Sequence, residues 1–192
     1  MPGRQAKVIA PTQLETLLQH VRGRRDAARC RAIILLSLRA GLRAAEIAKL
    51  EWSMVLDATG KVGQSIAIED RIAKKKGGRR IPMHPEVRHA LVKLQRGKRQ
   101  IHGPVIRSRL GGHMRPNSLV NWFVALFSEI GFDGCSSHSG RRTFITQTAR
   151  LLHEAGGSLR DVQLLAGHRS LMTTERYIDG DSHAQRKLVA LL

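Results

Sequence analysis

Residues 167–177 read Gly-His-Arg-Ser-Leu-Met-Thr-Thr-Glu-Arg-Tyr, and the last of them, Tyr177, is the only tyrosine in the chain. His168 lies nine residues before Tyr177, across a predicted helix start, and Thr173 and Thr174 can cap the helix that carries the tyrosine. A phenol titrates near pH 10, so it is a poor nucleophile at pH 7 unless nearby cations favour its anion. A lone tyrosine on a helix is far more often a packing residue than a catalytic one, so the choice depends on the other polar segments.

The chain is strongly basic. It holds 33 Lys plus Arg against 15 Asp plus Glu, a formal net charge of +18 over 192 residues. A basic surface binds polyanions by releasing condensed counterions, which makes nucleic acid the expected partner. The alternative is a solvated charged surface, or a basic ribosomal or chromatin-like protein. Hydrophobic residues make up 42% of the chain, which excludes a disordered basic tail.

Other classes of protein are excluded by what the sequence lacks. The two cysteines, Cys30 and Cys135, show no C-x-x-C spacing, and the histidines show no metal-site spacing, so we expect neither a disulfide scaffold nor a metal. The N-terminus has no apolar signal core, and no apolar run approaches the roughly 18 residues that span a bilayer. We therefore expect a cytoplasmic protein without a membrane segment, folded as a single domain over residues 1–192 with a flexible N-terminus at 1–10.

Apolar periodicity predicts a mainly helical fold. A first helix begins near Pro11, with Thr12 and Glu15 as a capping pair, and Ser158 with Asp161 is a second pair of this kind. The helix predicted over residues 26–40 is apolar all round at its centre, which is typical of a buried helix. The other predicted helices cover residues 44–50, 85–95, 116–130, 138–154, 159–166 and 171–178.

A change of pattern between residues 52 and 82 predicts one small sheet. Trp52–Leu56, Ser65–Ile68 and Ile81–Pro82 have the composition of short strands, and glycine-containing turns separate them. The expected fold class is therefore α+β, mainly helical with a three-stranded antiparallel sheet.

Two pairs of polar side chains stand out at predicted helix starts. His138 and Arg141 are three residues apart and share a helix face, where an imidazole beside a guanidinium could bind a phosphate. The alternative is a basic helix start that is simply exposed to solvent. Arg43 lies where a buried helix stops and another begins, with Glu46 three residues on. A structural Arg–Glu pair explains this second pair equally well.

A cluster of cations occupies the predicted turn between the second and third strands. Residues 74–80 read Lys-Lys-Lys-Gly-Gly-Arg-Arg, which places five cations at a hairpin tip. Such a tip is suited to a DNA groove or backbone, and a solvated turn is the alternative.

Four of these segments occur in an order that is typical of one family. Gly41-Leu42-Arg43-Ala-Ala-Glu46 has the form G-L-R-x-x-E, and Lys74 stands eight residues before Pro82 in the following hairpin. His138-Ser-Gly-Arg141 has the form H-x-x-R, and residues 162–177 read V-Q-L-L-A-G-H-R-S-L-M-T-T-E-R-Y. In this order, from about Ala10 to Tyr177, the chain resembles the catalytic domain of the tyrosine recombinases, the phage-integrase family.

The resemblance implies a chemistry and a role for each matched residue. Tyr177 would attack a DNA phosphodiester and form a 3′-phosphotyrosyl link, while Arg43 and Arg141 stabilise the charged oxygens. Lys74 would be the general acid, with Lys75 and Lys76 as open alternatives. His138 would accept the tyrosine proton, and His168 would bond a phosphate oxygen. No metal or other cofactor is implied. The DNA-contacting residues expected beside these are Lys75, Lys76, Arg79, Arg80, Arg142 and Arg169.

The match departs from the family pattern inside H-x-x-R, where Ser139 and Gly140 stand in place of an acid and a large aliphatic residue. Glycine there would weaken the helix start by up to about 1 kcal/mol and loosen the grip of Arg141. Ala40 stands where a threonine is common. The family's N-terminal helical clamp domain is missing before residue 10, so the chain is expected to be either an excised domain or a short family member.

The expected partner is double-stranded DNA, bound by a homotetramer on paired sites, with a monomer possible in its absence. The tail 182–192 would dock on a neighbouring protomer or pack on its own chain. The expected setting is the bacterial nucleoid, in a protein encoded by a bacterium, phage or mobile element. Two alternatives to a recombinase share this fold: a DNA-binding module that is idle without a clamp domain, and a type IB topoisomerase-like relaxing enzyme.

Overall fold

Nine α-helices and two β-strands make up the described part of the chain. The computed structural model describes residues 6–74, 77–98, 102–177 and 189–190, and for residues 97 and 98 it describes the backbone alone. The helices are α1 (Pro11–His20), α2 (Ala27–Leu38), α3 (Ala44–Lys49), α4 (Pro85–Lys98), α5 (Pro116–Glu129), α6 (Ser139–Arg150), α7 (Leu152–Ala155), α8 (Leu159–Ala166) and α9 (Leu171–Glu175). The strands are β1 (Ser65–Ile68) and β2 (Arg79–Pro82). The expected class, mainly helical with a small antiparallel sheet, is confirmed.

The sheet differs from the expectation in its number of strands. Within the described residues β1 and β2 pair antiparallel, with Ser65 opposite Pro82 and Ile68 opposite Arg79. The third predicted strand, Trp52–Leu56, instead begins with a short 3₁₀ helix over Trp52–Met54. The backbone N–H of Trp52 donates to the carbonyl of Gly103 (3.0 Å), and the N–H of Val55 donates to the carbonyl of Trp52 (3.0 Å). The segment therefore forms a turn and does not pair with β1 or β2.

The core is organised around α2. Its residues Ile33–Leu36 are completely buried, as the apolar run predicts, and α2 packs against α4 on one side and α6 on another. The helix ends at Leu38, and Gly41 follows with a φ of +64°, a conformation that favours glycine. This turn leads directly into α3 and places Arg43 between the two helices.

Helix boundaries follow the sequence signals in most places. The capping pair at α8 is confirmed, because Asp161 Oδ2 accepts hydrogen bonds from the backbone N–H (2.8 Å) and the hydroxyl (2.9 Å) of Ser158. At α1 the predicted pair of Thr12 and Glu15 is wrong, because the chain enters the helix earlier. There the side chain of Gln13 accepts from the backbone N–H of Ala10 (2.9 Å). The helix predicted over 138–154 is interrupted at Leu151, between α6 and α7.

A second, smaller apolar cluster joins α6 and α8 and receives Tyr177. Its buried members are Ile145, Val162 and Ala166, and Tyr177 packs at its margin. The tyrosine therefore packs against its own chain, between α6, which carries Arg141, and the end of α8, which precedes His168. Among the helices in the described residues, none is both long enough and apolar enough to span a bilayer.

Candidate active site

The turn between α2 and α3 places the first arginine. The N–H of Arg43 donates to Glu46 Oε2 (2.9 Å), and its Nη1 donates to Glu46 Oε1 (2.8 Å). Glu46 therefore both caps α3 and orients the guanidinium. The preceding Gly41 also allows close packing, because a Cβ at this position would lie 2.3 Å from the ring of Phe144 on α6. The G-L-R turn therefore packs closely against α6 at Phe144.

Glu46 is a buried carboxylate that is saturated with hydrogen bonds. It is 1% exposed, and besides the two bonds from Arg43 it accepts one on each oxygen from the guanidinium of Arg79, both at 3.0 Å. Burial alone would raise the pKa of Glu46, but the hydrogen bonds and positive charges of Arg79 and Arg43 outweigh burial and lower that pKa to about 2. Glu46 is therefore ionised at any physiological pH.

Arg79 does not project from the hairpin tip as the sequence suggested. Its side chain is only 5% exposed, and its Nε donates to the carbonyl of Leu165 at the end of α8 (2.9 Å). This interior position corrects the expectation of a DNA contact at residue 79. The physical reason is Glu46, whose buried charge requires a partner that carries two parallel donors. The neighbouring Arg80 is exposed and bonds Ser65 Oγ (3.0 Å).

Arg141 reaches inward from α6 and is 4% exposed. Its Nη1 donates to the carbonyl of Gly41 (2.8 Å) and its Nη2 to the carbonyl of Ala166 (2.5 Å), so it joins the G-L-R turn to the end of α8. The pKa of Arg141 is lowered to about 9, first by burial and then by the nearby charge of Arg43. Arg141 is therefore charged at pH 7 within a cluster of like charges.

Gly140 explains how Arg141 enters the interior. A Cβ on Gly140 would lie 2.1 Å from Oγ and 2.9 Å from Cβ of Ser37 on α2, so α6 and α2 touch backbone to side chain. The sequence suggested that glycine here would loosen the grip of Arg141. The structure shows the reverse, since only glycine permits the close approach that buries the next residue.

His168 and Tyr177 form a stacked pair beside these arginines. Their ring centroids are 5.5 Å apart with an interplanar angle of 25°, and His168 Nδ1 lies 3.0 Å from the hydroxyl of Thr174. Burial, followed by the charges of Arg141 and Arg43, lowers the pKa of His168 to about 4. The imidazole is therefore neutral at pH 7. The guanidinium of Arg142 lies 5.9 Å from the centroid of the Tyr177 ring.

The turn that carries Lys74 lies against the same helix end. A Cβ on Gly77 would be 3.8 Å from the carbonyl oxygen of Gly167, the residue before His168, and 3.3 Å from the carbonyl of Lys74. Asp70 Oδ1 accepts from the N–H of Gly78 (2.8 Å) and braces the turn from the other side. Lys74 itself is exposed. The other two candidate lysines, Lys75 and Lys76, lie outside the described residues.

Two further predicted residues lie on the surface. His138 is exposed at the start of α6, where its carbonyl accepts from the backbone N–H of Arg142 (2.9 Å). Arg169 is exposed one residue after His168. The structure thus brings together Arg43, Arg141, His168 and Tyr177, sets the Lys74 turn beside them, and shows no direct contact between these groups and the ring of His138. Within the described residues, no group of three or more His, Cys, Asp or Glu could hold a metal ion.

Comparison with known proteins identifies the family. The family model described as phage integrase family matches residues 7–183, which is nearly the whole chain. The chain belongs to the phage integrase family.

Curated relatives of this integrase-family chain include two tyrosine recombinases named XerC. That of Rickettsia typhi is 28% identical over 179 residues, which cover 89% of this chain and 55% of the relative. That of Rickettsia prowazekii is 29% identical over 153 residues, covering 78% and 46%. The chain therefore spans about half the length of the curated relatives it matches.

Solved structures with the integrase fold superpose along the full chain. A Tn1549 transposon integrase in complex with a circular intermediate DNA matches with a TM-score of 0.75 and 20% identity, covering 100% of this chain and 67% of that one. The XerA recombinase matches at 0.72 and 19%, covering 100% and 65%. XerH bound to a palindromic difH substrate matches at 0.75 and 17%, covering 99% and 54%. At these identities the likeness shows the fold.

Sequence reasoning missed the inward role of Arg79. Its partner Glu46 lies 33 residues earlier, so no neighbouring residue in the sequence points to the pair. The one available signal was alternation in β2, where residues 79 and 81 face the interior and residue 80 faces solvent.

Proposed function

We propose that the chain cleaves and rejoins DNA strands at specific sites through a 3′-phosphotyrosyl intermediate on Tyr177. The observation that carries this proposal is an excess of fixed positive charge beside the only tyrosine. Among the described residues, the guanidiniums of Arg43, Arg79 and Arg141 surround one carboxylate, that of Glu46. Burial, followed by the like charge of Arg43, lowers the pKa of Arg141, and a bound phosphate would relieve that repulsion.

The geometry supports an electrostatic role for the two arginines that the family pattern names. Both Arg43 and Arg141 are held by hydrogen bonds to the fold before substrate arrives, so they need little reorganisation when charge develops on the phosphorus oxygens. Guanidinium groups can therefore supply the charge stabilisation that a metal ion supplies in other phosphoryl-transfer sites.

The proton inventory of the proposed step balances with the residues present. Tyr177 Oη forms a bond to phosphorus, and the bond from phosphorus to the 5′-oxygen breaks. The tyrosine proton passes to His138 through bound water, since the two side chains are not in direct contact, and the departing 5′-oxygen takes a proton from Lys74, or from Lys75 or Lys76. His168, neutral at pH 7, bonds a nonbridging oxygen. Religation reverses these transfers, and the covalent link conserves the bond without ATP.

Double-stranded DNA is the proposed substrate, bound by a homotetramer on paired sites in the cytoplasm at the nucleoid. The net charge of +18 suits a polyanion, and the structural relatives include a Tn1549 integrase and XerH recombinase solved with DNA. The predicted docking tail, residues 182–192, lies outside the described residues except for 189 and 190.

The proposal is tested by trapping the covalent intermediate. The full chain is incubated with labelled, nicked duplexes whose central segment is randomised, so that a cleaved strand diffuses away and leaves the protein on the DNA. Adducts are isolated on a denaturing gel and sequenced. Since the chain has one tyrosine, a phosphotyrosyl peptide can come from Tyr177 alone. Tyr177→Phe is the matched control, because it keeps the ring that stacks on His168 and removes the nucleophilic oxygen.

Each outcome separates the proposal from its alternatives. An adduct that Tyr177→Phe abolishes, while DNA retention on a native gel is kept, supports cleavage by Tyr177. Retention of DNA without any adduct favours an idle DNA-binding module and overturns the proposal. Relaxation of supercoiled plasmid without recombinant products favours a topoisomerase-like enzyme.

A further inference from the structure

Arg79 is the one arginine of the cluster whose place in the reaction the family motifs do not assign. All three nitrogens of its guanidinium donate to the protein: Nη1 and Nη2 to the two oxygens of Glu46, and Nε to the carbonyl of Leu165. Its side chain is 5% exposed and links β2 to α3 and to the end of α8 through these hydrogen bonds.

The segments that Arg79 joins are those that carry the other site residues. Glu46 orients Arg43 on α3. The carbonyl of Leu165 adjoins that of Ala166, which binds Arg141. The stem of Arg79 also lies over Gly167, where an added Cβ would be 2.9 Å from its Cδ, and His168 follows directly. A single side chain therefore sets the spacing of three groups.

The same side chain ends the turn that holds Lys74. Arg79 is the first residue of β2, five residues after Lys74, and Gly77 between them lies next to the carbonyl of Gly167. Lys74 is exposed and belongs to a turn without regular structure. Its position relative to Arg43 and Arg141 therefore depends on how the two ends of the turn are anchored.

We infer that Arg79 is a positioning residue. It holds the lysine-bearing turn next to Arg43 and Arg141, so that the lysine ammonium group reaches the departing 5′-oxygen. The inference rests on the proposed cleavage of DNA. Arg79 contacts no phosphate in this role; it acts through the general acid on the turn.

A leaving group that needs no acid provides the test. A thiol has a pKa near 8.5, so a 5′-bridging sulfur departs as a thiolate without a proton from lysine, whereas an alkoxide does not. Cleavage is measured on one nicked duplex, taken from the trapped adducts, with either oxygen or sulfur at the bridging position. Lys74, Lys75 and Lys76 are each replaced by alanine. The general acid is the lysine whose replacement slows cleavage of the oxygen substrate but not of the sulfur substrate.

Arg79→Lys keeps the charge but cannot span both oxygens of Glu46. We expect it to slow cleavage of the oxygen substrate by about 100-fold, a typical cost of misplacing a catalytic group by an ångström, and to come within about 5-fold of wild type on the sulfur substrate. Arg39→Lys is the matched control, since Arg39 pairs with Glu86 on α4 (2.8 Å), and it should cleave both substrates like wild type.

An equal defect of Arg79→Lys on both substrates, or no defect, would overturn the inference. Failure of the wild-type protein to form any adduct would instead sink the proposed function, so the two failures are distinguishable. If Arg79→Lys does not fold, as judged by circular dichroism, Asp70→Ala carries the test. It removes the acceptor of the Gly78 N–H on the exposed side of the same turn. A defect that sulfur repairs supports the inference, and one that it leaves unchanged, or none, refutes it.

Discussion

Replacing Gly140 by alanine tests the close contact on which the site depends. The ideal Cβ would lie 2.1 Å from Ser37 Oγ, 2.9 Å from Ser37 Cβ and 3.1 Å from its carbonyl carbon. Rotation of the Ser37 hydroxyl relieves the first of these contacts but not the other two. Helix α6 must therefore move away from α2, and Arg141 moves with it.

The magnitude follows from two opposing effects. Overpacking a close contact costs about 1–3 kcal/mol, and contacts with the backbone of α2 place this case in the upper half of that range. Alanine gains up to about 1 kcal/mol of helix propensity over glycine. The net loss is about 1–2 kcal/mol, which for a chain of this length lowers Tm by about 2–8 °C.

The assay is thermal unfolding of the variant beside two controls. Gly23→Ala is the matched control, because a Cβ there meets nothing within 4 Å, and it should change Tm by less than about 2 °C. Ser37→Ala removes the atom that Gly140→Ala would strike, so the double variant should recover about 1 kcal/mol of the loss. At a temperature where the variant is folded, adduct formation should fall by about 100-fold as Arg141 shifts. A rise in Tm for Gly140→Ala would refute the packing argument, since propensity would then be the only effect left.

Three other predictions concern charge. The pKa of Glu46 is lowered to about 2 from an ordinary 4.5, which contributes about 3 kcal/mol to the free energy of unfolding. This contribution is present above pH 4.5 and is lost as the pH falls towards 2. Urea unfolding at several pH values should show the loss in wild type and not in Glu46→Gln. The pKa of His168, about 4 against 6.5, requires stability to fall as the pH drops from 6.5 to 4, and an NMR titration should place its midpoint near 4. In fluorescence anisotropy with labelled duplex DNA, Arg80→Gln and Arg169→Gln should each reduce the slope of log affinity against log salt by about 1, whereas Arg79→Gln should leave the slope unchanged.

Sequence patterns predict the helices well where local chemistry decides them. The Ser158–Asp161 cap can be predicted because it involves only two residues three positions apart. The buried run Ile33–Leu36 can be predicted from its apolar composition. The predicted strand over Trp52–Leu56 failed for a non-local reason. Its apolar residues are compatible with either a strand or a turn, and the choice is made by the carbonyl of Gly103, which lies about fifty residues away and captures the N–H of Trp52.

The site residues divide in the same way. The motifs place Arg43, Arg141, His168 and Tyr177 correctly in one region, because their order along the chain follows a family pattern. The directions of individual side chains do not follow from that order. Arg79 and Arg80 are adjacent cations in a basic turn, and only the buried carboxylate of Glu46 makes one of them face inward. Gly140 looked like a weakness because the sequence does not show what lies across from it.

The charge balance of the pocket connects these observations to function. One carboxylate bonds two guanidiniums, and a third is held by backbone carbonyls that carry no net charge. Among the described residues, the site therefore holds more buried positive than negative charge, which opposes the stability of the fold. Such an arrangement persists when the charge is needed for a ligand, and in the proposed function a phosphodiester would supply the missing negative charge beside Tyr177 and His168. The hydrogen bonds to Gly41 and Ala166 hold Arg141 in place without neutralising it, and they preserve the excess charge that the proposed reaction requires.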